Sequence, residues 1–238
     1  MTKERIPVSI ITGFLGAGKT NLLNQLIKKH PEKRFAIVEN EFGETGIDGG
    51  LIASATDAIF ELNNGCICCS LGEDFLQTLE NLLGSSYEFD HLLVETTGIA
   101  DPSGIVDAFV SGNTIQERFK VDSVICVVDA ENMEDLFDEQ PEIRLQLALA
   151  DLVLINKTDC VHLEYLSRLT ELIKGVNPMA RIERTMYCAV DNINVLDTQS
   201  FSGEIIGKSA LSFCGIDLSS EEHSGKRSFI HKPQQPDT

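Results

Sequence analysis

Basic residues are scarce in this sequence: nineteen lysines and arginines stand against thirty-seven aspartates and glutamates, a formal net charge of −18. A chain this acidic repels phosphate backbones and anionic bilayers, which argues against general nucleic-acid binding. Also missing is any run of about 18 apolar residues, the length a helix needs to cross a bilayer, so no membrane partner is expected. The opening stretch MTKERIPVSIITGF has only a short apolar segment ahead of glycines and no small-residue cleavage site, so it reads as fold rather than secretory leader. A disulfide framework is lacking too. The seven cysteines are an odd number, and Cys126, Cys160, Cys188 and Cys214 stand singly. Without an export signal all seven are expected as reduced thiols in a cytoplasmic protein. No internal repeat or low-complexity tract is seen.

What is present suits one large α/β domain. At 238 residues with 42% hydrophobic and 24% charged content, the chain is globular in composition, long enough for a full core and short for two domains. Apolar runs at 8–12, 34–40, 58–62, 91–95, 122–130 and 151–156 read as strands, the last two as strands buried on both faces. Helical periodicity joins Leu22, Leu23, Leu26 and Ile27 within 21–30. It also joins Leu71, Phe75, Leu76, Leu79, Leu82 and Leu83, and then Leu163, Leu166, Leu169, Leu172 and Ile173. The alternation predicts a doubly wound, mostly parallel sheet with helices on both faces. Past 180–186 the pattern weakens. Residues 1–200 are read as the domain and 201–238, polar at the end with two prolines, as a tail or linker toward something absent.

GFLGAGKT, Gly13 to Thr20, fits G-x-x-x-x-G-K-[ST] between an apolar strand and a helix, which makes the fold one of the P-loop NTPase type. Glycines allow the backbone of Gly13, Gly16, Ala17 and Gly18 to wrap a polyphosphate with N–H groups and the helix N-terminus facing it. Lys19 is expected on the β- and γ-oxygens, Thr20 on Mg²⁺, and Asn21 at the edge of the same site.

INKTD lies at the carboxyl end of a buried strand, where ligands gather in open α/β sheets. Its N-K-x-D resembles the guanine-recognition motif of GTPases. A carboxylate at Asp159 accepts from guanine N1–H and its exocyclic amine, a donor pair adenine lacks, while Asn156 and Lys157 shape the pocket. In LLVETTG, Glu95 ends a strand as the best Mg²⁺-side carboxylate, and the Gly98 N–H is placed for the γ-phosphate. Lys19, Thr20 and Glu95 are therefore the catalytic candidates for GTP hydrolysis to GDP. Ile99 occupies the place where Ras-type GTPases carry a water-positioning glutamine, and no arginine finger is evident. Intrinsic turnover is expected to be slow, on the order of 10⁻⁴ to 10⁻² per second.

The stretch NGCICCSLG packs Cys66, Cys68 and Cys69 into four positions. An adjacent-cysteine disulfide would be strained, and a closed zinc site wants a fourth ligand that no second C-x-x-C supplies. Three thiolates with an open position suit Zn²⁺, Cu⁺ or Co²⁺ held for transfer; redox chemistry and inert thiols are the alternatives. The upstream stretch VENEFGETGID adds Glu39, Glu41, Glu44 and Asp48 near that loop, each of which also fits a solvated surface.

Taken in order and spacing, GFLGAGKT, ENEFGE, NGCICC, ETTGIADP and NKTD resemble the CobW-type metallochaperone GTPases, relatives of the nickel-insertion GTPases of urease and hydrogenase maturation. The likeness covers about residues 6–190. It implies a GTPase that binds a transition metal, often zinc, and delivers it to a client metalloprotein under control of GTP or GDP. It implies metal thiolates at Cys66, Cys68 and Cys69, with Glu39 or Glu44 as nearby ligands, and phosphate and Mg²⁺ contacts at Gly13, Gly18, Lys19 and Thr20. Two departures stand out. Asn21 replaces a threonine common in the family, and the sequence stops at Thr238 where the family usually continues into a C-terminal domain, as either a truncated piece or a short form would. A metal-sensing module with structural nucleotide is the competing reading, a small-molecule kinase a weaker one, and a homo-oligomer is left open.

Overall fold

Uninterrupted apolar segments form the centre of the molecule, because strands covered on both faces have no polar side to alternate with. The computed structural model describes residues 4–39, 59–61, 67–98, 101–111 and 114–201, with the backbone alone for 59–61 and 67–74. In chain order the elements are β1 (Ile6–Thr12), α1 (Lys19–Lys29), β2 (Phe35–Glu39), β3 (Ile59–Glu61), α2 (Ile67–Gly84), β4 (His91–Glu95), α3 (Ser103–Val110) and α4 (Thr114–Arg118). There follow β5 (Phe119–Asp129), α5 (Met133–Glu139), α6 (Pro141–Leu149), β6 (Leu152–Asn156), a 3₁₀ turn (Thr158–Cys160), α7 (Leu163–Val176) and β7 (Arg181–Arg184).

The strands form one sheet in the order β3-β2-β4-β1-β5-β6-β7, parallel at every pairing among the described residues. After β1 the chain winds outward to β2 and β3, returns to place β4 beside β1, then winds the other way from β5. The reversal opens a crevice at the carboxyl ends of β4, β1 and β5, where such sheets bind ligands.

One face is covered by α1 and the irregular segment 186–197. Leu22, Leu23, Leu26 and Ile27 pack there on Ile11, Ile37 and Leu93, with Cys188, Val190, Val195 and Leu196 alongside. Lys29 fastens that segment to α1 by donating to the carbonyls of Val190 and Ile193, both at 2.7 Å. The opposite face carries α2, α3 and α4 over Val8, Ile10, Ala36 and Val94. It continues with α5, α6 and α7 over Cys126, Val128, Val153 and Ile155. Helices thus lie on both faces of a doubly wound parallel sheet. None among the described residues is long and apolar enough to cross a membrane.

Two local expectations change. The cysteine segment is not wholly a loop: α2 begins at Ile67, so the backbone of Cys68 and Cys69 belongs to its first turn. A seventh strand, β7, which was not among the expected strands, pairs with β6 just before the pattern fades.

Candidate functional site

The turn after β1 has the geometry of an anion cradle. Gly13, Gly16 and Gly18 all have positive φ, at 130°, 74° and 110°. A Cβ on Gly13 would come within 2.1 Å of the Val127 carbonyl oxygen, and one on Gly18 within 2.6 Å of Asn156 Nδ2. Only glycine satisfies both the backbone angle and the space at these two positions. Ala17, between them, is fully buried, and Gly18 caps α1 in the left-handed conformation, which aims the first N–H groups of that helix into the crevice.

Lys19 is buried, and its Nζ donates to the carbonyls of Gly13 at 3.0 Å and Phe14 at 3.3 Å. The ammonium therefore sits directly over the loop. One residue on, Thr20 Oγ1 donates to Glu95 Oε1 at 3.3 Å, joining the start of α1 to the end of β4. Thr96 Oγ1 donates to Thr12 Oγ1 at 3.1 Å, and the Thr96 N–H donates to the Ile11 carbonyl at 2.9 Å. Gly98 follows so close to the loop that a Cβ there would meet Leu15 N at 2.3 Å. Glu39, buried at the end of β2, is the register partner of Glu95. Asn21 is exposed.

On the other flank, Asn156 is almost fully buried and acts as a splice. Its Nδ2 donates to the Ala17 carbonyl at 2.8 Å, while its Oδ1 accepts from the Cys188 N–H at 2.9 Å and from Thr185 Oγ1 at 3.3 Å. Lys157 adopts a left-handed φ of 59° and donates from Nζ to Asp129 Oδ2 at 2.7 Å. Burial alone would raise the Asp129 pKa. The Lys157 ammonium, the Asn132 amide and the Glu131 N–H outweigh it and hold this carboxyl below the ordinary range. The same contact raises Lys157. Asp159, in the 3₁₀ turn, is exposed rather than committed to the core.

The structure therefore gathers Gly13, Gly16, Ala17, Gly18, Lys19, Thr20, Glu95 and Gly98 around one crevice, with Asn156, Lys157 and Asp159 along its flank. Glu44, Cys66 and Ile99 lie outside the described residues, as do the side chains of Cys68 and Cys69. Among the described residues no group of three or more histidine, cysteine or acidic side chains is arranged to hold a metal ion. Three participants escaped sequence reading. Asp129 anchors Lys157. Gln146 on α6 donates from Nε2 to the Gly98 carbonyl at 3.1 Å. Cys188 donates from Sγ to the Gly18 carbonyl at 3.2 Å, and burial pushes its thiol up to about 12, far from any reactive thiolate. A signal existed for Gln146, a polar residue on the apolar face that Ile143 and Leu147 define.

Residues 7–184 match the family model described as CobW/HypB/UreG, nucleotide-binding domain. The zinc-regulated GTPase metalloprotein activator 1 of Schizosaccharomyces pombe is 33% identical over 211 residues, covering 85% of this chain and 51% of that protein. The zinc chaperone YjiA of Escherichia coli is 35% identical over 200 residues, 82% of this chain and 62% of its own length. The chain thus spans between about half and three-fifths of these curated relatives. The crystal structure of Zn(II)-bound YjiA GTPase superposes with a TM-score of 0.66 at 29% identity, covering 84% of this chain and 64% of that one. Nickel-bound HypB from Helicobacter pylori shares the fold, with a TM-score of 0.56 at 18% identity over 92% of both chains.

Proposed function

Because this chain belongs to the CobW/HypB/UreG family of nucleotide-binding domains, we propose that it binds and slowly hydrolyses GTP. In this reading it carries a transition metal, zinc first, for a client metalloprotein in the cytoplasm. Residues 1–200 form the GTPase domain, and 201–238 lead on from it. Asp159 reads guanine, with Lys157 held as a wall of the pocket by Asp129 and Asn156 fixing the loop beneath. Backbone N–H groups of the Gly13–Thr20 turn receive the polyphosphate, and Lys19 neutralises its β- and γ-oxygens. Thr20 and Glu95 present a hydroxyl and a carboxylate 3.3 Å apart, a hard oxygen pair that fits Mg²⁺, which supplies positive charge at the phosphates when bound. The Gly98 N–H meets the γ-phosphate.

The cargo metal is held by Cys66, Cys68 and Cys69, with Glu39 or Glu44 completing a set that suits zinc. The names of the curated relatives, a zinc chaperone and a zinc-regulated activator, support that choice. What carries the coupling between cargo and nucleotide is the register of β2 on β4. Glu39, on the metal side, stands opposite Glu95, which accepts from Thr20 on the nucleotide side. A change at one carboxylate is felt one strand away.

The test is a Co²⁺ titration of the reduced protein, reading thiolate-to-metal charge-transfer absorbance with GDP and then with a non-hydrolysable GTP analogue. A band that differs between the two nucleotides and disappears in Cys66→Ser is expected. An identical band in both states removes the coupling, and no band in either removes the cargo.

A further inference from the structure

The turn that follows β4 is held from two directions, and only one of them belongs to the P-loop motif. Toward β1 it is fixed by Thr96, which bonds to Thr12 and Ile11, and by the close approach of Gly98 to Leu15. The second hold comes from α6, a helix that belongs to the base-reading half of the sheet. Gln146 is 1% exposed there, and its amide donates to the Gly98 carbonyl across 48 residues of sequence. Its neighbours Ile143 and Leu147 share an apolar cluster with Phe14 of the phosphate loop, so the amide is carried on a helix packed against that loop.

We propose that Gln146 is a positioning residue for the γ-phosphate: by holding the Gly98 carbonyl it fixes the turn in the orientation that a nucleoside triphosphate requires. The inference rests on the reading of Gly98 as the γ-phosphate contact. A buried amide is an expensive group to place on an apolar helix face unless its hydrogen bond does something an alkyl chain could not. Here it restrains a turn whose other anchors described above come from β1 and the loop after it. A diphosphate does not reach the turn, so its binding does not draw on the restraint. A triphosphate does, because a turn already fixed loses less freedom on meeting the ligand. Gln146 therefore sets the preference for triphosphate over diphosphate, and acts through Gly98 without touching substrate.

The experiment compares wild type with Gln146→Met, which keeps the length and helix preference of the side chain and removes the donor. Affinities for GDP and for a non-hydrolysable GTP analogue are measured by calorimetry on the full chain, with thermal melting as the control for folding. The expected result is a roughly tenfold loss for the analogue with GDP held within twofold, and a fall in kcat for GTP larger than any rise in KM. Equal losses for the two nucleotides would make Gln146 a merely structural residue, and no loss for either would make its bond incidental; both overturn the proposal. A wild type that binds GDP and the analogue equally well would instead overturn the reading of Gly98. A second measurement needs no variant. The Gln146 side-chain amide resonances, assigned in the wild-type protein, are expected to shift on adding the analogue and to stay in place with GDP. Equal shifts with both would refute the assignment even if Gln146→Met failed to fold.

Discussion

Asn156 Nδ2 lies 2.8 Å from the carbonyl oxygen of Ala17, a residue 139 positions earlier in the chain. The amide joins the carboxyl end of β6 to the glycine-rich turn after β1. In a trans peptide the carbonyl and the following N–H point opposite ways, so holding the Ala17 oxygen inward turns the Gly18 N–H outward toward the crevice.

Asn156→Ala is expected to weaken GDP and GTP alike by about tenfold or more. It leaves the Ala17 oxygen and the Cys188 N–H without this partner in a buried place, at about 1–3 kcal/mol for each group. Titration calorimetry with both nucleotides, alongside thermal melting, measures the two effects. Unchanged affinity would show the splice to be dispensable.

Gly13→Ala and Gly16→Ala separate clash from conformational strain. At Gly13 the added Cβ meets the Val127 carbonyl oxygen at 2.1 Å with φ already at 130°, so a loss of about 2–4 kcal/mol is expected in melts without nucleotide. At Gly16 nothing lies within 4 Å and φ is 74°, so only the left-handed strain of about 1–2 kcal/mol applies. Equal destabilisation of the two variants would contradict the geometry.

Asp159→Asn exchanges a pure acceptor for a side chain that also donates. Guanine N1–H and its amine lose a charge-assisted pair, while xanthine, with a carbonyl where guanine has the amine, gains a matching donor. GTP affinity is expected to fall on the order of a hundredfold and XTP affinity to rise. Competition between the two nucleotides reads both changes. A variant still selective for GTP would mean that another group reads the base.

A buried histidine and a half-buried aspartate oppose each other in acid. His91 is fully buried with Nε2 3.0 Å from Ser9 Oγ, and burial, only partly offset by Asp197, pushes its pKa from 6.5 down to about 4. Between those values the unfolded chain binds the extra proton, so the stability present above pH 6.5 is lost as pH falls toward 4, by on the order of 3 kcal/mol. Asp151 goes the other way. Burial, with Asp122 nearby, raises its carboxyl from 3.8 to about 6, so the folded state binds the proton first and gains stability on acidification over nearly the same window. Asp151→Asn is expected to expose the His91 loss as a steeper fall in urea stability between pH 6.5 and 4 than wild type shows. His91→Gln should show the reverse. Matching slopes in all three proteins would rule out this compensation.

Much of this was legible in the sequence where a local pattern carried it. VSIIT, HLLVE and DLVLIN read as strands because both of their faces are buried, and the phosphate loop and NKTD read as site because their spacing is short and fixed. RIER did not read as a strand: three of its four residues are charged and it pairs only with β6 in the described sheet, so its burial pattern never alternates cleanly. The start of α2 was missed because its first turn contains the cysteines, whose meaning as ligands hid their place on a helix. Gln146 showed only as a polar residue on an apolar helix face, and the contacts that Asp129, Gln146 and Cys188 make were beyond reach for a different reason. Each acts on a partner 28, 48 or 170 residues away, and no periodicity encodes such a contact.

The parallel order of the sheet also governs how the chain comes into being on the ribosome. β1 is made first but lies between β4 and β5, so neither neighbour exists until residues 91–95 and then 119–129 have been synthesised. At roughly 5–20 residues per second, IPVSIIT waits some 4 to 17 seconds for its first partner. Antiparallel hairpins close on themselves within a few residues, whereas this apolar strand has no hairpin partner in the described sheet. Until β4 supplies its first sheet partner, the strand that leads into the phosphate loop has α1, the helix made directly after it, to pack against.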